Sequence, residues 1–428
     1  MENTLILDGP YLNKDFFNFI TTSEQPRHQW YYFKEGFSST LIKEAITSVN
    51  SKRKLKILDP FSGSGTTALT SSLLGHSATG IEVNPFLHFT SEIKTKAWHV
   101  PYEKAISNIN NILLKSRGGS YSDLEGFSTF TAKDGLDKWL FNTSVIRRYS
   151  SVLKVIETDI DEQQQPLFRF AALIAAMDCA NVKKDGKSVR YKKGWKEIAY
   201  SGSDYEQVFA GKLKKIVADI NISPIHVKHE PKIYLSDSRS QFSKEDFTED
   251  CYDLVITSPP YLNSFDYTDI YRPELFLGGF VKGHEELRRL RMKTLRSHVQ
   301  VDWNREINYS SEYLRKFHDK IVSNRDQLWN KKIPLMIEAY FDDLAIILSQ
   351  VKDRLKKGGQ VWLVVSTSAY AGIHIPVDLI IGELGHELNF RLKGIHCLRY
   401  LRTSSQQYAQ LKTNKAPLRE SLIILEKI

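Results

Sequence analysis

With 428 residues, 41% of them hydrophobic and 25% charged, the chain has the composition of a soluble globular protein and the length for a catalytic core of about 200–250 residues plus sizeable additions. No apolar run approaches the ~20 residues of a bilayer span, the opening stretch MENTLILDGPYLNKDFF lacks the features of a signal peptide, and Cys179, Cys251 and Cys397 lie too far apart for a metal-ligand motif, so a reduced, cytoplasmic setting without a metal is expected. The net charge of +9 favours a polyanionic partner, because each neutralised phosphate releases counterions, although many ordinary proteins carry as much.

In chain order, Lys56–Asp59 is a short apolar run that enters a glycine loop. Residues 66–74 have helical spacing, Gly75 stops them, and 78–82 read as the next strand. Between Glu82 and Lys232 the pattern changes: 106–115, 144–158 and 167–180 have helical spacing, and strand signals are few. Strands resume at Lys232–Leu235 and Tyr252–Thr257, and a basic, helical stretch occupies about 282–332. A helix stopped by Gly358-Gly359 precedes a strand at 360–365, and strands at 392–399 and 420–426 close the chain. Such alternation builds a parallel-dominated α/β sheet. Residues 1–90 and 231–428 therefore read as a discontinuous sheet core, 91–230 as a mainly helical insertion, and 280–335 as a basic helical insertion within the core.

Asp59-Pro60-Phe61-Ser62-Gly63-Ser64-Gly65-Thr66-Thr67 joins the first strand to its helix. Gly63 and Gly65 permit a tight turn and a close backbone approach, and the helix N-terminus offers unpaired N–H groups. Glu82, 17 residues beyond Gly65, ends the following strand, where a carboxylate can accept from two ribose hydroxyls. A Walker-type phosphate loop is excluded because no Gly-Lys-Ser/Thr follows, but the spelling Gly63-x-Gly65-x-x-Ala68 also satisfies the dinucleotide-binding pattern. The glycine loop alone thus leaves nicotinamide binding open.

At Tyr252–Thr257 an apolar strand runs straight into Ser258-Pro259-Pro260-Tyr261. The prolines end the ladder and fix a rigid turn, so the nearby carbonyls can face outward as acceptors. Acceptors that bind both hydrogens of an exocyclic amino group can free the nitrogen lone pair from its ring. Tyr261 offers a face for a flipped base.

Together these motifs resemble those of the amino-methylating DNA methyltransferases. Their glycine motif reads Asp-Pro-Phe-x-Gly-Ser-Gly-Thr, and their catalytic motif reads Asp, Asn or Ser before Pro-Pro-Tyr or Pro-Pro-Phe. The resemblance implies a Rossmann-like class I methyltransferase sheet with helical insertions, S-adenosylmethionine as cofactor, double-stranded DNA as partner and functional pairing with a restriction endonuclease. It places Ser258, Pro259, Pro260 and Tyr261 at the catalytic turn. It assigns Asp59, Phe61, Gly63, Gly65, Thr66, Thr67, Glu82 and Asn84 to the cofactor, with His28, Trp30 and Tyr31 at its methionine end and Asp237 at its adenine. Ser before Pro-Pro-Tyr is usual in this family for N4 of cytosine, and Asp or Asn for N6 of adenine, so cytosine is preferred and adenine is the alternative. Methylation at carbon 5 needs an attacking thiolate, and none of the three cysteines occupies a suitable motif. The rivals are an RNA methyltransferase, a nicotinamide enzyme, which leaves the Pro-Pro-Tyr turn unexplained, and a catalytically silent DNA-binding subunit. The insertion at 91–230 is a candidate target-recognition region.

Arg288, Arg289, Arg291, Lys293, Arg296 and His298 crowd the stretch after the catalytic turn, and these cations are candidate phosphate contacts. A solvated helix face is the plainer reading of the same run. Lys183, Lys184, Lys187, Arg190, Tyr191, Lys192 and Lys193 form a second cluster, from which Arg190 and Lys192 are candidates for DNA. Asp266 and Tyr267 are placed to shape a base pocket, while His374, His386 and His396 have no ligand spacing.

Overall fold

A computed structural model of the chain describes residues 6–7, 11, 16, 19–33, 35–186, 188–242, 247, 249–300, 306–401 and 417–428. Most of the opening stretch, and Lys187 of the second basic cluster, lie outside the described residues. The strands are β1 (Ile6–Leu7), β2 (Lys56–Asp59), β3 (Ser77–Glu82), β4 (Val182–Asp185), β5 (Ser188–Tyr191), β6 (Lys232–Leu235), β7 (Tyr252–Thr257), β8 (Leu355–Ser366), β9 (Ser368–Tyr370), β10 (Ile373–Ile375), β11 (Phe390–Tyr400) and β12 (Arg419–Lys427).

Eight of them form one sheet in the order β1-β11-β12-β8-β7-β2-β3-β6. Neighbours among β6, β3, β2, β7 and β8 pair in parallel. β12 is reversed, slotted antiparallel between β8 and β11. This is the Rossmann-like class I methyltransferase sheet. The central position of β7 explains its unbroken apolar spelling, since all six of its residues are buried. Strand order reverses at β2, with β3 on one side and β7 on the other, so the carboxyl ends of these three strands open onto the crevice where such sheets bind ligands.

Helices cover both faces. The helix Thr66–Leu73 follows the glycine loop and packs on β3 and the helix Pro85–Thr95. The helix Ile333–Arg354 backs the other half of the sheet. It ends at Arg354, so Gly358-Gly359 are not its stop: they lie inside β8, which begins five residues earlier than the apolar run indicates, with a register irregularity against β7.

Helices Tyr102–Lys115, Thr143–Asp159, Gln165–Asp178 and Gly202–Ile222 build the region between β3 and β6. Their core includes Phe170, Leu173 and Phe209, and it continues into Phe265, Tyr271, Leu275 and Leu290, which follow the catalytic turn in sequence. The two helical regions are therefore packed together. Sparse strand signals also hid the β4–β5 hairpin, whose strands are only four residues long. Among the described residues no helix is long and apolar enough to cross a membrane.

Candidate active site

The glycine loop is braced from below by Asp59. Its Oδ1 accepts from the Thr257 hydroxyl at 2.6 Å and from the Phe61 N–H at 3.0 Å, tying the end of β2 to the end of β7. Burial pushes the Asp59 carboxyl up to about 6, and the hydrogen bonds to Thr257, Thr67 and Phe61 oppose that rise. Gly65 sits at φ +82 and caps the helix Thr66–Leu73; a Cβ there would run into Ser91. Gly63, at φ +52, sends its N–H to Glu82 Oε2 at 2.8 Å, and the Asn84 N–H reaches Glu82 Oε1 at 2.8 Å. Burial raises the Glu82 carboxyl to about 7 against those donors. Each of its oxygens keeps a lone pair for a ligand hydroxyl.

Beside this loop lies a cavity of about 450 Å³. Phe61, Gly63, Thr66, Glu82, Asn84 and Asp237 border it, and so do Ser258, Pro259, Pro260 and Tyr261. Two motifs separated by the whole insertion thus meet at one void. The Asn84 side chain caps the helix Pro85–Thr95 through Oδ1, while its Nδ2 is buried with no hydrogen-bond partner among the described residues. A polar ligand on this wall would satisfy it. Asp237 caps the helix Ser238–Gln241 and pairs with Arg239 at 2.7 Å, so its carboxylate is largely engaged within the protein.

Other expected cofactor contacts do not border the cavity. His28 is buried against Thr70 at 3.5 Å, and Trp30 Nε1 donates to Asp219 Oδ2 at 2.8 Å. The Tyr31 hydroxyl lies 2.8 Å from Glu274 and 2.5 Å from Lys184 Nζ. Trp30 and Tyr31 thus tie the N-terminal segment to the helical regions and His28 ties it to the helix Thr66–Leu73, and it is Tyr32, Phe33 and Glu35 that border the cavity. Asp59, Gly65 and Thr67 likewise shape the loop from behind; the Thr67 hydroxyl reaches the Ile256 carbonyl at 3.4 Å.

At the Pro-Pro-Tyr turn the Tyr261 hydroxyl donates to Glu420 Oε1 at 2.5 Å. Glu420 Oε2 pairs with Arg399 Nε at 2.8 Å. Burial, reinforced by the Glu420 charge, holds the Tyr261 phenol well above its ordinary range. The following Leu262 carbonyl is held by the Ser368 and Tyr370 hydroxyls of the β9–β10 hairpin. Tyr267 borders the cavity, as does His298; Asp266 instead caps the helix Tyr267–Ile270 and pairs with Arg291 at 2.6 Å. Glu420 and Arg399 lie in closing-strand sequence with no local motif to mark them.

The basic residues separate into two kinds. Arg288 and Arg289 are exposed on the helix His284–Lys293, and Lys293, also exposed, borders the cavity. Arg190 is exposed on β5 with Asp185 at 3.2 Å. Arg296, by contrast, is 1% exposed and bonded to Asp342 and Asp343, so it is a core ion pair and cannot contact a phosphate. Arg291 is tied to Asp266 and to Thr268, and Lys192 donates to the Asp178 carbonyl at 2.8 Å. Charge runs do not reveal which of their members face inward.

A family model described as "DNA methylase" matches residues 9–92, the span that holds the glycine loop and Glu82. The chain is 26% identical to the Type II methyltransferase M.AvaI of Nostoc sp. over 92% of its length and 86% of that protein's. It is also 26% identical to the Type II methyltransferase M.BsoBI of Geobacillus stearothermophilus, over 97% of this chain and 88% of that one. The Type II methyltransferase M.MvaI of Kocuria varians is 23% identical, over 88% and 85%. The motifs, the sheet that brings them to one cavity and these likenesses over most of the chain agree: the protein is similar to the amino-methylating DNA methyltransferases, whose methyl donor is S-adenosylmethionine.

Proposed function

We propose that the protein methylates N4 of cytosine in duplex DNA. The carrying observation is that Ser258, directly before Pro259-Pro260-Tyr261, borders the same cavity as Gly63 and Glu82. N6 of adenine is the second reading, since both amino groups present two N–H donors to the same turn.

S-adenosylmethionine, when bound, would supply an electrophilic methyl group on sulfur. Glu82 would accept from its ribose, and Gly63 and the loop at Asp237, which border the same cavity, would help to hold it. Asn84 Nδ2 offers a further donor. Across the cavity, Ser258 Oγ and the Pro259 carbonyl take the hydrogens of the target amino group while Tyr261 stacks on the flipped base. The protein chiefly aligns nitrogen with methyl carbon and relieves the nitrogen's conjugation. Exposed Arg288, Arg289, Lys293 and Arg190 contact phosphates near the mouth, and the helical region 91–230 contributes target recognition. The reading includes a cytoplasmic role and pairing with a restriction endonuclease, the latter in keeping with the relatives' description as Type II methyltransferases.

Labelled methyl transfer to duplex DNA, with RNA and no-nucleic-acid controls, tests the reading. Label should enter duplex DNA. Incorporation into RNA alone would overturn it.

A further inference from the structure

The β4–β5 hairpin alternates as a ribbon with one covered face. Val182, Val189 and Tyr191 pack on the core of the helical region, while Lys183, Asp185, Ser188 and Arg190 point the other way. On the covered face, Lys184 Nζ lies 2.6 Å from the buried Glu274 carboxylate and donates to the Tyr31 hydroxyl at 2.5 Å. It also sits 3.6 Å from the centre of the Tyr271 ring. β5 packs on the helix Tyr267–Ile270, and Gly186, beside the hairpin's turn, borders the cavity. The ribbon is therefore fixed to the residues that follow the Pro-Pro-Tyr turn, with its tip at the site.

The outer face carries a cost. Lys183 and Arg190 are directly opposed in the ladder, and both are exposed. Like charges in that position oppose pairing, and a two-stranded hairpin has little stability to spare. Asp185 reaches Arg190 at 3.2 Å and offsets one of the two cations. An anion on this face would remove the repulsion. The other outward pair, Asp185 and Ser188, lies nearer the tip and presents oxygens instead of cations.

We propose that the β4–β5 hairpin is a ribbon that reads DNA beside the target base: Lys183 and Arg190 hold backbone phosphates, and Asp185 and Ser188 face the edges of the flanking base pairs. This rests on the reading that the cavity takes a base from duplex DNA. A two-stranded ribbon fits the major groove, where a carboxylate accepts from a cytosine amino group and a serine hydroxyl pairs with more than one base. The clamp at Lys184 keeps DNA seated on the ribbon in register with the cavity.

Fluorescence polarisation with a labelled mixed-sequence duplex, titrated against salt, tests the phosphate pair. Replacing both Lys183 and Arg190 by Ala should lower affinity more than about tenfold at ~0.1 M salt and make the slope of log affinity against log salt shallower by about two. The melting temperature should hold or rise, because the repulsion is gone. The double variant Asp185→Ala, Ser188→Ala should bind the same duplex no less tightly but methylate a broader sequence context, read by sequencing the modified DNA. An unchanged salt slope, a lowered melting temperature in the first variant, or an unchanged context in the second would overturn the ribbon. A wild-type protein that binds duplex DNA with the expected slope yet methylates no base in it would instead overturn the proposed function.

Discussion

In the proposed cofactor site, Glu82 sets a pH response whose sign follows from its surroundings. The side chain is 9% exposed, and burial raises its carboxyl to about 7 despite N–H donors from Gly63 and Asn84 at 2.8 Å. Near neutrality the cofactor-free protein is thus roughly half protonated there. Ribose hydroxyls prefer the carboxylate, so binding should strengthen as pH rises through about 7. Below that, each pH unit should cost about tenfold in affinity, or about 1.4 kcal/mol. Folding responds oppositely: because the folded value is raised, the contribution of Glu82 to stability is present below about 4.5 and lost as pH rises through about 7. Glu82→Gln removes the titration and the charge-assisted hydrogen bonds, which are worth about 1.5–3 kcal/mol. Calorimetric titration with S-adenosylmethionine between about pH 6 and pH 8 reads both effects. A wild-type affinity independent of pH, or a Glu82→Gln protein that binds equally well, would refute the reasoning.

Replacing Arg296 by Leu would leave Asp342 and Asp343 short of a buried partner, so urea denaturation should show a loss of about 3–5 kcal/mol. Exchanging Arg288 and Arg289 for Ala should leave stability intact and lower the salt dependence of DNA binding by about one to two phosphate contacts; an unchanged slope would return both to a solvated helix face. Tyr261→Ala should cost ~1–3 kcal/mol of stacking and depress methylation steeply while calorimetry finds cofactor affinity unaltered. Equal activity would remove Tyr261 from the site.

What the sequence reveals is what lies close together in it. The glycine loop, Glu82 and the Pro-Pro-Tyr turn are each local, and buried parallel strands such as β7 announce themselves as apolar runs. Long-range placement is another matter. Glu420 meets Tyr261 because β12 inserts beside β8, and Arg399 joins them across the β11–β12 ladder. Neither strand's spelling indicates that register. His28, Trp30 and Tyr31 are expected at the cofactor, but Trp30 turns towards Asp219 and Tyr31 towards Glu274, and the next residues border the cavity instead. Arg296 lies in a basic run yet is buried by carboxylates from a helix more than forty residues further on.

The most direct test is the identity of the methylated base. DNA treated with the enzyme and isotopically labelled S-adenosylmethionine can be digested to nucleosides and resolved by mass spectrometry. Label in N4-methylcytosine is the expected result. Label in N6-methyladenine would contradict the choice of base while sparing the fold and the turn's chemistry, and label in 5-methylcytosine would contradict the mechanism itself.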